Sequence, residues 1–512
     1  AQDPMSRLLR LHPTDQVALA REDLAAGTDC DGVRARADVP RGHKLAVAAV
    51  PAGQPVRKYG QVIGFATQAI EPGDWVHTHN LGFGAGELGL DYAVGVDRQP
   101  VDLLPPEQRA TFQGYRRADG RVGTRNYLAA VSTVNCSAAV CQAVARAFEG
   151  CEAGMADFDG VIALTTKGGC AVKPGYELDL FQRTLAGFAD HPNVGAYVLV
   201  GLGCEGNRLA ELIHNGGLIR LDAAPEVPPP AFNIQDLGGT QRTIEAAKRA
   251  VAELIPRVAA ARRTPQSAEH LCVGLQCGGS DALSGVTANP AVGAMADLLV
   301  RHGGTPVLGE TPEIYGAEHL LIRRAASQEV ADRLLARIAW WKDYTARNGF
   351  SIDNNPAPGN KDGGLTTIFE KSLGAVAKAG TTPLVDVLEY GQRITAHGLV
   401  HMDTPGYDPV SATGQVAGGC QLIVFTTGRG SCFGFKPAPS LKVATNTPMY
   451  ERMKPDMDLN AGGIIDGTAT VESVGAELFE RLLRLASGEP SLSEAMGLGV
   501  EEFNPWIIGC TM

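Results

Sequence analysis

The stretch Gln276 to Gly293 reads Q-C-G-G-S-D-A-L-S-G-V-T-A-N-P-A-V-G, and its flanks decide how the chain folds. Before it, Leu271 to Leu275 is a short apolar run with the length of a buried strand; after it, Ala291 to Val300 has the period of a helix. The loop between carries Cys277, Ser280, Asp281, Ser284, Thr287 and Asn289, and Gly278 with Gly279 lets backbone amides approach a ligand. A helix cap needs one such polar residue. Several of them, at the carboxyl end of a strand, mark the place where open α/β sheets bind ligands.

The same unit recurs upstream. Tyr127 to Ser132 reads as a strand ending at Val134-Asn135-Cys136, with a helix over Ala138 to Phe148. Gly160 to Thr165 ends in Thr166-Lys167-Gly168-Gly169-Cys170, with a helix near Leu178 to Phe188. Gly195 to Val200 ends in Gly201-Leu202-Gly203-Cys204-Glu205-Gly206-Asn207. Ile219 to Asp222 fits a further short strand and Thr240 to Ala261 a long helix. This alternation predicts a parallel sheet with helices on both faces. Cys136, Cys170 and Cys204 thus each stand just beyond a parallel strand, where adjacent loops would bring them to Cys277. A single cysteine is usually a small hydrophobe. Four at repeated strand ends are a candidate thiolate set, although no C-x-x-C spacing supports it.

Downstream, Thr305 to Leu308 leads into Gly309-Glu310-Thr311-Pro312-Glu313, where Glu310 suits a base or a hard metal ligand and Glu313 a helix cap. The helix Glu329 to Thr345 carries Trp340 and Trp341 as core or interface residues. Asn354 to Thr367 is a long polar loop whose Asn360 and Lys361 suit a polyhydroxylated anion; the P-loop pattern is absent. Strands follow at Pro383 to Leu388, Gly398 to Met402, Leu422 to Thr426 and Leu441 to Ala444. After Leu422 to Thr426 comes Thr427-Gly428-Arg429-Gly430, whose guanidinium is a natural carboxylate clamp. A helix over Thr470 to Ala486 packs last.

Leu8 to Asn80 reads instead as short strands between Gly/Pro turns, a small all-β module. Its last strand, Trp75 to His77, runs into Thr78-His79-Asn80. Residues i and i+2 on a strand face the same way, so His77 and His79 can meet one ligand or metal. The expected division is 5–96 for this module, 97–113 for a linker, 114–265 for a first α/β lobe and 266–512 for a second; Arg262 to His270 also reads as a linker. Ala1 to Pro4 reads as a vector-derived scar before Met5.

With 512 residues, 44% of them hydrophobic, the chain can build two or three cores, and 62 glycines agree with its many ligand-type loops. A formal charge of -11 with no basic block argues against nucleic-acid binding. Eleven cysteines without a small-domain disulfide framework point to a reducing, cytoplasmic setting. No apolar run reaches the length of a membrane span.

Five motifs in this order resemble the altronate/galactarate dehydratase family of sugar-acid dehydratases over nearly the whole chain. They are Gly114-Tyr115-Arg116 with Gly123-Thr124-Arg125-Asn126; Gly201 to Glu205; Gln276 to Gly293; Asn355 to Lys361; and Thr427 to Gly430. The first module then resembles the family's small β-clip domain, called SAF. The resemblance implies dehydration of an aldonate or aldarate, such as altronate or galactarate, to a 2-keto-3-deoxy acid. It also implies a divalent metal, iron(II) ahead of manganese(II), and leaves room for a homodimer. Such chemistry removes a proton beside a carboxylate and expels a β-hydroxyl, so charge must be clamped. On this implication His77, His79, Cys136, Cys170, Cys204 and Cys277 hold the metal. Arg125, Asn126, Ser280, Asp281, Asn289, Asn360, Lys361 and Arg429 contact the acid, and His79, Lys167 or Glu310 moves the proton. The stretches Thr166 to Cys170 and Gly430 to Gly434 depart from the family's pattern, which bears on the choice of acid. Alternatives are a sulfo-lyase acting on sulfolactate, an iron-sulfur hydratase built on the same cysteines, and a non-enzymatic sugar-acid sensor.

Overall fold

Residues 6–84, 86, 88–219, 221 and 227–509 are described by the computed structural model. Short antiparallel strands with Gly/Pro turns build the N-terminal module. Leu8–Leu9, Val17–Ala20, Lys44–Ala46 and Trp75–Val76 form one sheet in that order, and Pro55–Lys58, Gln61–Ala66 and Leu81–Gly82 form another. The module closes a small core of its own around Leu8, Ala20, Leu24, Val39 and Leu45, and Val17, Val56, Ile63 and Val76 share a second with Leu308, Ile314, Leu321 and Leu373 of the C-terminal lobe. The strand expected to reach His77 stops at Val76, and His77 to Asn80 form a turn in which the His77 N–H donates to Asn80 Oδ1 at 2.9 Å.

The middle lobe is a parallel sheet of β1 (Tyr127–Ser132), β2 (Val161–Leu164), β3 (Val194–Gly201) and β4 (Ala231–Asn233), in the order β2-β1-β3-β4. The alternation of the strands sorts their side chains onto two faces. Leu128, Ala130, Ala196 and Val198 pack with Val140 and Val144 of α1 (Asn135–Ala147) and with Val251 and Leu254 of the long helix Thr240–Val258. Ala129, Val131, Tyr197 and Leu199 pack with Phe181, Leu185 and Phe188 of α2 (Tyr176–Ala189). The expected strand Ile219 to Asp222 falls partly outside the described residues, and the fourth strand is Ala231–Asn233. Two segments read as linkers are paired: Thr111 to Gly114 runs antiparallel to Thr264–Ser267, with Phe112 buried.

The C-terminal lobe is a seven-stranded parallel sheet with the opening stretch at its middle. Its strands are β5 (Cys272–Cys277), β6 (Thr305–Leu308), β7 (Leu384–Leu388), β8 (Leu399–Met402), β9 (Leu422–Thr427), β10 (Ser440–Ala444) and β11 (Leu459–Asn460). The order is β7-β8-β6-β5-β9-β10-β11. The chain therefore winds outward from β5 through β6 and returns at β9, which puts the switch of direction at the carboxyl end of β5. Trp341 stacks on Trp506 at 5.3 Å, as a core residue.

The N-terminal module docks through buried charge. Glu370, on the helix α3 (Ile368–Val376), accepts from Lys44 Nζ at 2.9 Å and Lys58 Nζ at 3.0 Å. Lys44 also donates to the Gly364 carbonyl at 2.6 Å. All three charged side chains are at most 1% exposed. Removing one partner of such a group leaves an unpaired buried charge, at a cost of about 3–5 kcal/mol. Glu370→Ala should therefore lose about that much stability in denaturant unfolding and free residues 6–84 to limited proteolysis. A loss below about 1 kcal/mol with unchanged proteolysis would show that the charges do not hold the module.

Candidate active site

Beyond the carboxyl ends of β5 and β6 lies a buried group of opposite charges. Glu310 takes a left-handed backbone, φ 63° and ψ 54°, which costs a residue with a Cβ about 1–2 kcal/mol. Its N–H donates to Thr404 Oγ1 at 2.6 Å. Cys277 Sγ stands 3.5 Å from Glu310 Oε2 and 3.8 Å from Glu313 Oε2. Lys378 Nζ donates to Cys277 Sγ at 2.9 Å and also to Glu310 Oε2. Lys371 Nζ contacts Glu313 Oε1 at 2.8 Å and Asn355 Oδ1 at 2.9 Å, and Asn355 Nδ2 donates back to Glu313 Oε1 at 2.6 Å. Cys277, Glu310, Glu313, Lys371 and Lys378 are all buried. Asp408 borders the group: a Cβ on Gly278 would collide with its carboxylate. Asp408 and Asn355 keep partial exposure and mark the open side.

The electrostatics are set by burial first. Burial, then the Glu310 charge, pushes the Cys277 thiol up to about 12, so it is neutral at pH 7. Burial also raises Glu310, against the pull of Lys378. For Lys378 burial opposes the charge, and the Glu310 carboxylate it bonds more than offsets that, so the ammonium is retained. Burial and the charges of Glu310 and Glu313 push Asp408 up to about 7. Buried ion groups of this kind contribute little net stability and are characteristic of reactive sites. Cys277 Sγ and one oxygen each of Glu310 and Glu313 lie within 4.8 Å of one another, a mixed sulfur and oxygen set that suits a divalent transition ion. Lys371 and Lys378 contact these same donors, so an ion would replace ammonium contacts.

A second set of groups comes from the N-terminal module. Trp75 Nε1 donates to His43 Nδ1 at 3.2 Å, which leaves the His43 Nε2 proton for the Asp362 carbonyl at 3.3 Å. The His77 ring stacks on the Trp75 indole, centroids 5.2 Å apart, and its Nδ1 is buried without a partner among the described residues. Burial, then Lys44, pushes His77 down to about 4, so it is neutral at pH 7. His79 is exposed, 5.4 Å from the same indole, and neither imidazole lies in a strand. The two imidazoles thus do not share a strand face.

Several of the expected ligand contacts turn out to be internal fasteners. Asp281 accepts from Thr445 Oγ1 at 3.0 Å, Asn446 Nδ2 at 3.1 Å and Ser284 Oγ at 3.0 Å. A Cβ on Gly428 would strike its carboxylate, so β9 must continue into glycine there. Asn289 bridges Thr426 Oγ1 and the Gly374 carbonyl, and Asn360 Nδ2 donates to the Ser280 carbonyl at 2.8 Å. Arg125 is used up on Glu494 at 2.8 Å and on the Leu485 and Glu489 carbonyls, and Asn126 on the Asp157 and Val258 carbonyls. Arg125 thus joins the two lobes away from the cluster, and Asn126 fastens the middle lobe internally. Arg429 is exposed beside Gly279 and Gly363, Lys361 is half-buried, and Ser280 Oγ is buried without a partner among the described residues.

The four strand-end thiols do not form one set. Cys277 closes a strand of one sheet; Cys136, Cys170 and Cys204, with Lys167, are exposed at the edge of another. Among the described residues neither they nor His77 and His79 join the group around Cys277. Glu313 faces that group instead of capping a helix. Lys371, Lys378, Asp408 and His43 escaped the sequence reading, and Asn355 was read only as part of a polar loop and motif. Two lysines seven positions apart in the run Ile368 to Ala379, whose other polar side chains are Glu370 and Ser372, were the available signal, because that spacing keeps one helical face. A cavity of about 800 Å³ lies at the opposite, amino-terminal ends of the strands, and its Arg121 and Arg183 are paired with Asp190 and Glu389.

An α/β body that buries a thiol, two acids and two lysines at the carboxyl ends of its strands, with a β-module docked on it, has the make-up of an acid–base enzyme. Three family models match the chain: "Altronate/galactarate dehydratase SAF domain" over residues 6–83, "D-galactarate dehydratase/Altronate hydrolase, second domain" over 114–259, and "D-galactarate/Altronate dehydratase, C-terminal" over 268–511. Altronate dehydratase of Bacillus subtilis is 34% identical, covering 95% of this chain and 96% of that protein. Galactarate dehydratase (L-threo-forming) of Escherichia coli is 38% identical over 98% of each. The beta subunit of (2R)-sulfolactate sulfo-lyase of Chromohalobacter salexigens is 33% identical over 76% of this chain and 95% of its own. The chain belongs to the altronate/galactarate dehydratase family and is a hydro-lyase. No helix among the described residues is long and apolar enough to cross a membrane.

Asp408 gives a pH signature. Its pKa rises from 3.8 to about 7 on folding, so the stability it contributes is complete below the unfolded value and is lost as pH rises through the folded one. In metal-free protein, the melting temperature of Asp408→Asn relative to wild type should rise between about pH 5 and about pH 8. A constant difference across that range would contradict the assignment.

Proposed function

We propose that the chain dehydrates a sugar acid, an aldonate or aldarate of the altronate or galactarate type, to its 2-keto-3-deoxy acid. The observation that carries this reading is the buried Cys277, Glu310, Glu313, Lys371 and Lys378 group at the sheet's switch point, with Asp408 on its open side. Asp408, whose pKa lies near 7, is matched to take the proton beside the substrate carboxylate. Lys378 and Lys371 stay charged and face the negative charge that develops as the proton leaves. Arg429 and Lys361, at the rim, bind the distal carboxylate or hydroxyls. His43 and His77, held neutral against Trp75, border that rim from the SAF domain and donate or accept hydrogen bonds without adding charge.

A divalent ion, iron(II) or manganese(II), would be held by Cys277, Glu310 and Glu313. Bound there, it supplies Lewis-acid polarisation of a substrate oxygen. The family's sulfo-lyase relatives keep sulfolactate as a second candidate substrate, distinguished by its product.

A screen of aldonates, aldarates and sulfolactate with added ferrous iron or manganese, read as 2-keto acid or sulfite, tests the reading. A sugar acid should give 2-keto acid; sulfite from sulfolactate alone would overturn the assignment. With the active acid, Lys378→Met should lower kcat by about 10²–10⁴-fold. Arg429→Ala should instead raise KM about tenfold or more while kcat changes little. A Lys378→Met enzyme with wild-type kcat would remove the cluster from the chemistry.

A further inference from the structure

Behind the reactive group runs a chain of buried, uncharged hydrogen bonds. Cys277 ends β5, Glu310 stands just past β6, and Asp408 opens the helix α4 (Asp408–Gly418). Residues three and seven positions apart share a helical face, and on α4 that face carries Asp408, Ser411 and Gln415. Gln415 Nε2 donates to the Val307 carbonyl of β6 at 2.8 Å, and its Oε1 accepts from Gln276 Nε2 of β5 at 2.8 Å. Gln276 Nε2 donates as well to Ser411 Oγ at 2.7 Å. Ser411 Oγ meets Thr404 Oγ1 at 2.7 Å, and Thr404 Oγ1 accepts the Glu310 N–H at 2.6 Å. The Thr311 N–H donates to the Thr404 carbonyl at 2.9 Å, so both residues after Gly309 hang on Thr404.

The backbone makes room for this chain. A Cβ on Gly274 would come within 2.5 Å of Gln415 Oε1, and one on Gly309 within 2.9 Å of Gln415 Nε2 and 3.0 Å of Thr404 Oγ1. The loop from Thr404 to Asp408 then turns around the acids, where a Cβ on Gly406 would meet Glu313 Oε1 at 2.7 Å. Gln276, Thr404, Ser411 and Gln415 are all 0% exposed. Neutral hydrogen bonds among buried side chains add little net stability, and apolar side chains of the same shape serve a core about as well. What these four supply is direction. The helix that bonds back to Glu310 is the helix that presents Asp408.

We propose, resting on the reading of Asp408 and the Cys277 group as the reaction centre, that Gln276, Thr404, Ser411 and Gln415 are positioning residues of the dehydration. They hold Glu310 in its left-handed conformation and in register with Asp408, so that the carboxylate beside Cys277 and the carboxyl on the open side keep one spacing. A misplacement of about 1 Å in such a spacing costs about 10²-fold in rate, even when its cause lies away from the reacting atoms.

The test uses Thr404→Val and Ser411→Ala, checked for fold by circular dichroism and assayed on the full chain with the active sugar acid. Each should lower kcat about 10–100-fold with KM little changed. Thr404→Ser keeps the oxygen and should recover most of the loss. Both variants act through one hydrogen bond, so the double variant should lose no more than the worse single. Wild-type kcat in both singles, or a loss confined to KM, would overturn the positioning role. Amide hydrogen exchange at Glu310, read by mass spectrometry, needs no turnover: it should be about fivefold or more faster in Thr404→Val and Ser411→Ala than in wild type and Thr404→Ser. A wild type that forms no 2-keto acid would overturn the dehydration reading. Exchange at Glu310 unchanged in the variants would overturn the positioning by itself, whichever acid is dehydrated.

Discussion

The ion group of Glu370 with Lys44 and Lys58 is the constraint on which the active region rests. Glu370 and Lys371 are consecutive on α3, and their side chains leave the helix in different directions. One clamps the SAF domain; the other reaches Glu313 and Asn355. Lys378, just beyond the same helix, closes on Cys277 and Glu310. Docking of the β-module and placement of the reactive lysines are therefore tied to a single buried segment. Neutralising that segment would unseat the histidines on one side and the charge balance on the other.

The cluster is costly by design of its surroundings. Two carboxylates and two ammonium groups are withdrawn from water, and Glu310 holds a left-handed backbone to take part. Net stability does not explain such a group, since apolar side chains of similar volume would serve a core as well. Fixed charges aimed into a region with little water are what stabilise charge developing on a substrate. On the proposed reading, the neutral thiol, the retained ammoniums and the carboxyl near 7 are the site's ligand, cation and proton-transfer groups.

Much of the fold was legible in the sequence because strand length and alternation are local properties. Tyr127 to Ser132 and Thr305 to Leu308 were readable to the residue, and the opening stretch does close the central strand. Strand order is not local. Cys136, Cys170, Cys204 and Cys277 follow look-alike strands, yet those strands belong to two sheets, so repeated spacing gave no convergence. Thr111 to Gly114 and Thr264–Ser267 looked like linkers because neither is apolar enough to announce a strand without its partner. Of the candidate site, Cys277 and Glu310 were visible as polar groups after apolar runs. Lys371 and Lys378 were masked by the helical run that buries them, while Arg125 and Asn126 were legible as polar residues but not as fasteners, Arg125 between the lobes and Asn126 within its own.

The central claim is that Asp408 takes the proton at the edge of the Cys277, Glu310 and Lys378 group. Deuterium wash-in tests it most directly, with the active sugar acid incubated in D2O and recovered for mass measurement at the carbon beside its carboxylate. Wild type should exchange or eliminate at that carbon, and folded Asp408→Asn should do neither. Wild-type exchange in Asp408→Asn would contradict the account.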